Sequence, residues 1–269
     1  MITYPFAYSR PKSLAEAEAA LKSTSDAKLI AGGQTLVATM KQRLASPSLL
    51  IDIARLGELR FIRREGDQFV VGAGVRHHDV ATSEDLHKGL PALAELAETI
   101  GDPAVRHMGT LGGSLANNDP AADYPAGVLA LSATITTTKR TIAADDFFQG
   151  MFTTALEDDE IIKQVAFPIV EKAAYAKFKN PASRYALAGV FVAKGKSGVR
   201  VAVTGAGSSV FRVADMEAAL TKNFAPEAVA NIAVAADDLN SDIHASAEYR
   251  AHLVTVMAKR AVKAALERS

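Results

Sequence analysis

No cysteine occurs in the 269 residues, and thirty basic side chains are balanced by thirty acidic ones. The first absence excludes disulfides, a thiolate nucleophile and any iron-sulfur cluster ligated by cysteines of this chain, so redox chemistry here requires a borrowed cofactor. The second removes the net positive field that gathers nucleic acid or anionic lipid, and only a local basic groove would remain for such partners. Neither a nucleic-acid partner nor a membrane span is expected. No apolar run is long enough to cross a bilayer, and Met1-Ile2-Thr3-Tyr4-Pro5-Phe6 lacks the basic start and apolar stretch of a signal peptide, so the expected location is cytoplasmic. Repeats and low-complexity tails are missing too. The glycines follow neither G-x-G-x-x-G nor the Walker spacing; Val203-Thr204-Gly205-Ala206-Gly207-Ser208-Ser209-Val210 comes nearest, but Val210 stands where the third glycine belongs, and a turn explains it.

What is present is a soluble composition, 49% hydrophobic and 22% charged, with enough residues for two or three compact units. Ser13 followed by Glu16, Ala17, Ala20 and Leu21 predicts a capped amphipathic helix, and Lys28-Leu29-Ile30 a short buried strand. A helix over 36–43 and a strand over 49–53 complete a first unit. Strands over 61–64 and 68–74 flank the Glu65-Gly66-Asp67 turn, a helical turn falls near Val80, and a helix runs from Pro91 to Ile100. From Gly101 to Asp123 the chain is rich in Gly, Asn, Asp and Pro and is expected to be a long irregular, functional loop. A helix over 125–131 and strands over 133–138 and 161–167 lead to a boundary at 168–172. Beyond it come strands over 174–179, 187–194 and 199–204 and helices over 213–220, 226–236 and 247–267.

Two glycine pairs carry the functional signal: Ala31-Gly32-Gly33-Gln34-Thr35 and Thr110-Leu111-Gly112-Gly113-Ser114. Consecutive glycines let successive backbone NH groups converge on an anion, and the flanking Thr and Ser add hydroxyl donors. Each pair alone is equally readable as a tight turn. Together, with Asn117-Asn118-Asp119-Pro120-Ala121-Ala122-Asp123 close behind, they suggest a diphosphate held from two sides and a carboxylate, Asp123, for sugar hydroxyls. The first pair sits between a strand and a helix N-terminus, where the dipole favours anions. His77-His78-Asp79 reads as ordinary loop residues rather than metal ligands, since neighbouring side chains diverge and no third ligand stands at a useful spacing. Glu157-Asp158-Asp159-Glu160 reads as a solvated loop. Tyr185 is either a cover for a ring face or a core or edge tyrosine.

These segments, together with Ile100-Gly101-Asp102-Pro103-Ala104-Val105-Arg106-His107-Met108-Gly109 and the run to Tyr124-Pro125, closely resemble the FAD-binding medium subunit of molybdenum hydroxylases of the xanthine dehydrogenase and aerobic carbon monoxide dehydrogenase family. The resemblance covers essentially the whole chain. It implies an α+β fold: a two-subdomain FAD-binding domain of the vanillyl-alcohol-oxidase (PCMH) type over 1–168, divided into about 1–55 and 56–168, and a C-terminal flavoprotein domain over 169–269 with a small antiparallel sheet and helices. It further implies that Ala31, Gly32, Gly33, Gln34, Thr35, Thr110, Leu111, Gly112, Gly113 and Ser114 bind the FAD diphosphate, and that Asn118 belongs to the same site. Asp123 would hold a sugar hydroxyl, Ile162 would line the adenine or ribose region, and Lys177 and Tyr185 would lie at the isoalloxazine.

By the same resemblance the chain is an oxidoreductase subunit without an acid, base or nucleophile of its own. Electrons would come from two [2Fe-2S] clusters in a small subunit, after substrate hydroxylation at the molybdenum cofactor of a large subunit, and would pass from FAD to an external acceptor. The expected assembly is a heterohexamer, a dimer of heterotrimers. Competing readings are a free-standing FAD oxidase or reductase, an NAD-dependent dehydrogenase using the Gly205 loop, and a flavin-free scaffold subunit. The substrate and the acceptor (oxygen, quinone, cytochrome or NAD) are not encoded in these motifs.

Overall fold

Ser13 starts the first helix as its spacing predicts: the hydroxyl accepts the Glu16 NH at 3.2 Å, and Leu14–Ser23 buries Leu14, Ala17 and Leu21 along one face. The structure, a computed structural model, describes residues 2–268. Helix 14–23 packs on a three-stranded parallel sheet in which Leu49–Asp52 lies between Ala7–Ser9 and Ala27–Ile30, with Leu49 opposite both Ala7 and Ala27. Strand 7–9 has no sequence signature, being three residues long and largely exposed.

A five-stranded antiparallel sheet follows, in the order Ile62–Glu65, Gln68–Gly72, Ile162–Pro168, Thr134–Thr137, Thr141–Ala143. Its central strand pairs Val165 with both Val71 and Ile135 and ends at Pro168, which cannot extend the ladder as a donor. Between the second and fourth strands of that sheet the chain makes a run of helices, of which Pro91–Glu98 buries Ala92, Leu93, Ala94, Leu96 and Ala97.

Segment 101–123 is not the irregular loop its composition suggests. Asp102 caps Pro103–Met108 by accepting the Val105 NH at 3.0 Å, and Thr110 caps Leu111–Asn117 by accepting the Gly113 NH at 3.1 Å. Two caps and a proline in the first helical turn outweigh the low helix propensity of glycine and asparagine. Gly112 is compatible with this helix because it packs where a side chain cannot fit: a Cβ there would lie 2.6 Å from the Ala73 Cβ.

From Lys172 the chain builds a four-stranded antiparallel sheet, Lys172–Lys179, Ala186–Gly195, Gly198–Thr204 and Phe211–Arg212, covered by the 21-residue helix Ala247–Glu267. That helix lays Leu253, Val254, Met257, Ala258, Ala261, Val262 and Ala265 on the sheet at helical spacing. The expected helix over 226–236 is only a 3-10 turn at Pro226–Val229. Thr255 of the long helix donates its hydroxyl to the Ile232 carbonyl at 2.9 Å, so this stretch is tied to a neighbour rather than to its own helical ladder.

The Gly205 turn joins the two sheets' territories. Gly205 adopts φ +82°, and a Cβ would lie 2.3 Å from the Ala186 carbonyl oxygen. Its NH and the Thr204 hydroxyl both donate to the Pro120 carbonyl, at 2.8 and 3.0 Å. The near-match to a nucleotide fingerprint is thus a clamp on the 117–123 segment.

Candidate FAD site

A cavity of about 560 Å³ opens between the first sheet, helix 111–117 and the loop before strand 186–195. That volume lies within the range of small-molecule and cofactor pockets, about 300–1,000 Å³. Strand 27–30 delivers the first glycine segment to its wall. Gly33 turns the chain at φ +67°, a conformation in which a side chain is strained. The NH groups of Gly33, Gln34 and Thr35 donate to no acceptor among the described residues. They form the free donor array that the glycine pair predicts.

Gly32 has a different duty. A Cβ on it would lie 2.4 Å from the Met108 carbonyl oxygen and 2.7 Å from Gly109 Cα, so the two glycine-bearing segments touch backbone to backbone. The first segment therefore needs one glycine for conformation and one for contact.

The second segment corrects the expectation of a matching nest. The Leu111 NH donates to Val75 O at 3.0 Å, Gly112 to Ala73 O at 2.8 Å, Gly113 to the Thr110 hydroxyl at 3.1 Å, and Ser114 to Thr110 O at 3.0 Å. All four are consumed because they belong to a helix start and to its dock on strand 68–72 and the turn after it. What this wall offers is the Ser114 hydroxyl, which makes no hydrogen bond among the described residues, and the bare surface of Gly112 and Gly113.

The remaining expected residues divide between wall and support. Ala31 to Thr35, Thr110, Gly112, Gly113, Ser114, Asp123, Ile162 and Tyr185 line the cavity. Leu111 does not: it is 1% exposed and lies in the hydrophobic core. Asn118 does not either. Held left-handed at φ 43°, it sends its amide to the Gly150 and Thr153 carbonyls, each at 2.8 Å, and so pins the Phe148–Thr154 hairpin. The Lys177 ammonium is buried on the Asp123 carboxylate at 2.9 Å and the Thr99 carbonyl at 3.2 Å rather than at the cavity wall.

Asp123 also accepts the Tyr175 hydroxyl at 2.6 Å, which is why it leaves the helix it precedes without a side-chain cap. Burial raises its carboxyl above the usual range, opposed by the Lys177 charge and the two hydrogen bonds. Tyr185, 47% exposed, stands at the mouth on a tight loop in which Asn180 accepts the NH groups of Ala182 and Ser183 at 2.9 and 3.0 Å. Burial raises the Tyr185 phenol, with Asp119 and Asp123 adding to the effect.

His77 lines the same cavity, although the sequence marks it only as half of a histidine pair. The pair splits in the structure. His78 stacks on His107 with ring centroids 4.0 Å apart, while the His77 ring is buried against Tyr124. A usable signal lay in its position just after the glycines at 72 and 74, which end a buried strand.

Free NH donors, an unpaired hydroxyl, two backbone segments stripped of side chains and an aromatic ring at the mouth suit a flat-ended ligand with an anionic middle. Residues 4–170 match the family described as the FAD binding domain in molybdopterin dehydrogenase, and residues 162–265 match the CO dehydrogenase flavoprotein C-terminal domain. The chain belongs to the FAD-binding medium subunits of the carbon monoxide dehydrogenase and xanthine dehydrogenase family.

Relatives of this medium subunit include the carbon monoxide dehydrogenase medium chain of Hydrogenophaga pseudoflava, 39% identical with 100% of this chain and 99% of the relative covered. The nicotine 6-hydroxylase medium subunit of Paenarthrobacter nicotinovorans is 38% identical, with 95% of each covered. Among solved structures, carbon monoxide dehydrogenase from Hydrogenophaga pseudoflava lacking the Mo-pyranopterin moiety superposes with a TM-score of 0.93 at 40% identity, covering 100% of this chain and 99% of that one. The medium subunit is accordingly an oxidoreductase component whose cofactor is FAD, and the fold is the corresponding pairing of an FAD-binding domain with a C-terminal α+β domain. No helix among the described residues is long and apolar enough to cross a membrane.

Proposed function

We propose that this medium subunit is an electron relay: its FAD takes electrons from a [2Fe-2S] cluster in a small partner subunit and passes them to an external acceptor. FAD supplies one- and two-electron redox chemistry when bound, and the chain's own residues hold and shield it. The observation that carries this reading is the set of unpaired NH groups at Gly33, Gln34 and Thr35 on a wall whose other side is Ser114, within a cavity that reaches Tyr185.

In this reading the FAD diphosphate lies along Ala31 to Thr35, facing Thr110, Gly112, Gly113 and Ser114. The unbonded NH groups of Gly33, Gln34 and Thr35, just ahead of the helix Leu36–Lys41, favour its negative charge. Asp123 accepts a sugar hydroxyl through lone pairs not used by Tyr175 and Lys177, since an ionised carboxylate has about four acceptor positions. Ile162 gives an apolar contact to the adenosine half, and Tyr185 covers a ring face and excludes water. Leu111, Asn118 and Lys177 act from behind, by packing, by pinning the 148–154 hairpin and by orienting Asp123.

The composition agrees with this division of labour. A chain without cysteine has no thiolate to hold a cluster, so clusters belong to a partner. The relatives' designations as medium chains and medium subunits support further subunits beside this one; in this reading they are a large molybdenum-cofactor subunit and a small iron-sulfur subunit, joined as a cytoplasmic dimer of heterotrimers. We place the domain division at Pro168, with subdomains of 1–55 and 56–168 ahead of it.

Gentle purification of the native complex, followed by absorbance spectroscopy, metal analysis and mass spectrometry, tests this. Flavin, iron and molybdenum should travel together with two partner chains. A yellow chain active alone, with neither metal, would instead establish a free-standing flavoenzyme.

A further inference from the structure

Behind the second glycine segment the His77 ring occupies the space that a side chain on residue 109 would need. A Cβ on Gly109 would lie 2.5 Å from the His77 Nε2 and 2.7 Å from its Cδ2. The His77 backbone NH donates to the Gly109 carbonyl at 3.0 Å, so main chain and ring both hold this residue. Gly109 in turn bears on Gly32. His77, Gly109 and Gly32 therefore form a stack that sets the gap between the two walls of the cavity.

The ring is buried, 5% exposed, and neither nitrogen makes a hydrogen bond among the described residues. Nδ1 is completely covered and unpartnered. His77 lines the cavity, and its Nε2 edge lies beside Gly109. A neutral imidazole has one N–H and one lone pair. A dry orphan N–H is rarer in proteins than a dry acceptor, so the proton belongs on Nε2 and the lone pair on the sealed Nδ1.

We infer that His77 is a positioning residue of the nucleotide site, a neutral imidazole that spaces the two glycine segments and donates Nε2–H to the anionic diphosphate of FAD. The inference rests on the FAD reading above. Burial first, and the Arg106 charge second, hold the imidazole down to about 4, so at neutral pH it contributes a donor rather than a charge. It supplies on the second wall the NH donor that Leu111 to Ser114, all internally bonded, cannot.

The test compares full-length wild type, His77→Phe and His77→Gln by titrating each deflavinated protein with FAD at pH 7.5, with circular dichroism as the check on folding. Phenylalanine keeps the ring volume without a nitrogen; glutamine returns an NH donor at the end of the side chain. The expected result is FAD binding at least about tenfold weaker in His77→Phe, or 1.4 kcal/mol, and a substantial recovery in His77→Gln. In wild type carrying [15N]histidine, FAD addition should shift one protonated ring nitrogen of His77 while the ring stays neutral. Equal affinity in His77→Phe and wild type overturns the inference, as does an unshifted His77 signal. If His77→Phe does not fold, the glutamine variant and the nitrogen signal decide. Wild type that binds no FAD would overturn the FAD reading instead, which separates the two failures.

Discussion

Replacing Gly32 with alanine puts a methyl group 2.4 Å from the Met108 carbonyl oxygen and 2.7 Å from Gly109 Cα. Both neighbours are backbone, so no side chain can swing away. Restoring ordinary contact at about 3.4 Å requires the two glycine segments to part by about 1 Å, enough to stretch an N–H···O bond of about 2.9 Å beyond the range in which it counts as one. A hydrogen bond to a charged group contributes about 1.5–3 kcal/mol, so losing one such contact across the gap weakens FAD binding about 10- to 150-fold. Overpacking itself costs the fold about 1–3 kcal/mol. Gly57→Ala is the control, because nothing lies within 4 Å of the Cβ it would carry. FAD affinity from flavin fluorescence quenching and thermal melts of the FAD-free protein are the two readouts. Gly32→Ala that binds FAD as tightly as Gly57→Ala would refute the argument that the gap between these segments is set by backbone contact and used by the cofactor.

Asn118→Ala should lower stability by about 1–3 kcal/mol, since it leaves the Gly150 and Thr153 carbonyls without their donor, and denaturant melts should show a clear drop in midpoint. Lys177→Met strands a buried carboxylate and should cost about 3–5 kcal/mol, whereas Lys177→Met combined with Asp123→Asn should lose much less; equal losses would refute the buried-pair assignment. His77 makes stability depend on pH. With the folded imidazole at about 4 and its ordinary value at 6.5, the unfolded chain binds the proton first, so the contribution is fully present above 6.5 and is lost as pH falls towards 4. That difference corresponds to about 3 kcal/mol. The melting temperature should fall over that window in wild type and much less in His77→Phe, and identical profiles would contradict it.

Much of the fold was legible because its signals are local. Ser13 and Glu16 marked a helix start, and strands 162–168 and 198–204 follow from buried β-branched runs. What stayed hidden depends on tertiary partners. The 226–236 stretch has helical apolar spacing but is held through Thr255, and helices 103–108 and 111–117 owe their form to caps embedded in glycine-rich sequence. At the site, glycine pairs revealed where backbone approaches closely but not why. Gly33 is there for its dihedral angle, Gly32 and Gly112 for contact, and only the folded chain shows that the second pair's NH groups are spent. Resemblance implies that Asn118 and Lys177 bind the cofactor, Lys177 at the isoalloxazine, yet their polar atoms bond to the Gly150 and Thr153 carbonyls and to Asp123 and the Thr99 carbonyl. For His77, a paired histidine motif points to metals, whereas its contact with the distant Gly109 is visible only in the fold.

Everything proposed for the site depends on FAD being held in the cavity between the two glycine segments. The most direct measurement is the FAD content of the purified full-length chain beside that of Gly33→Val, which forces a β-branched side chain into a left-handed backbone position 3.2 Å from Val37. One FAD per wild-type chain is expected, and a variant that folds but holds much less. Full FAD occupancy in the variant, or a folded wild type that takes up none, would contradict that placement.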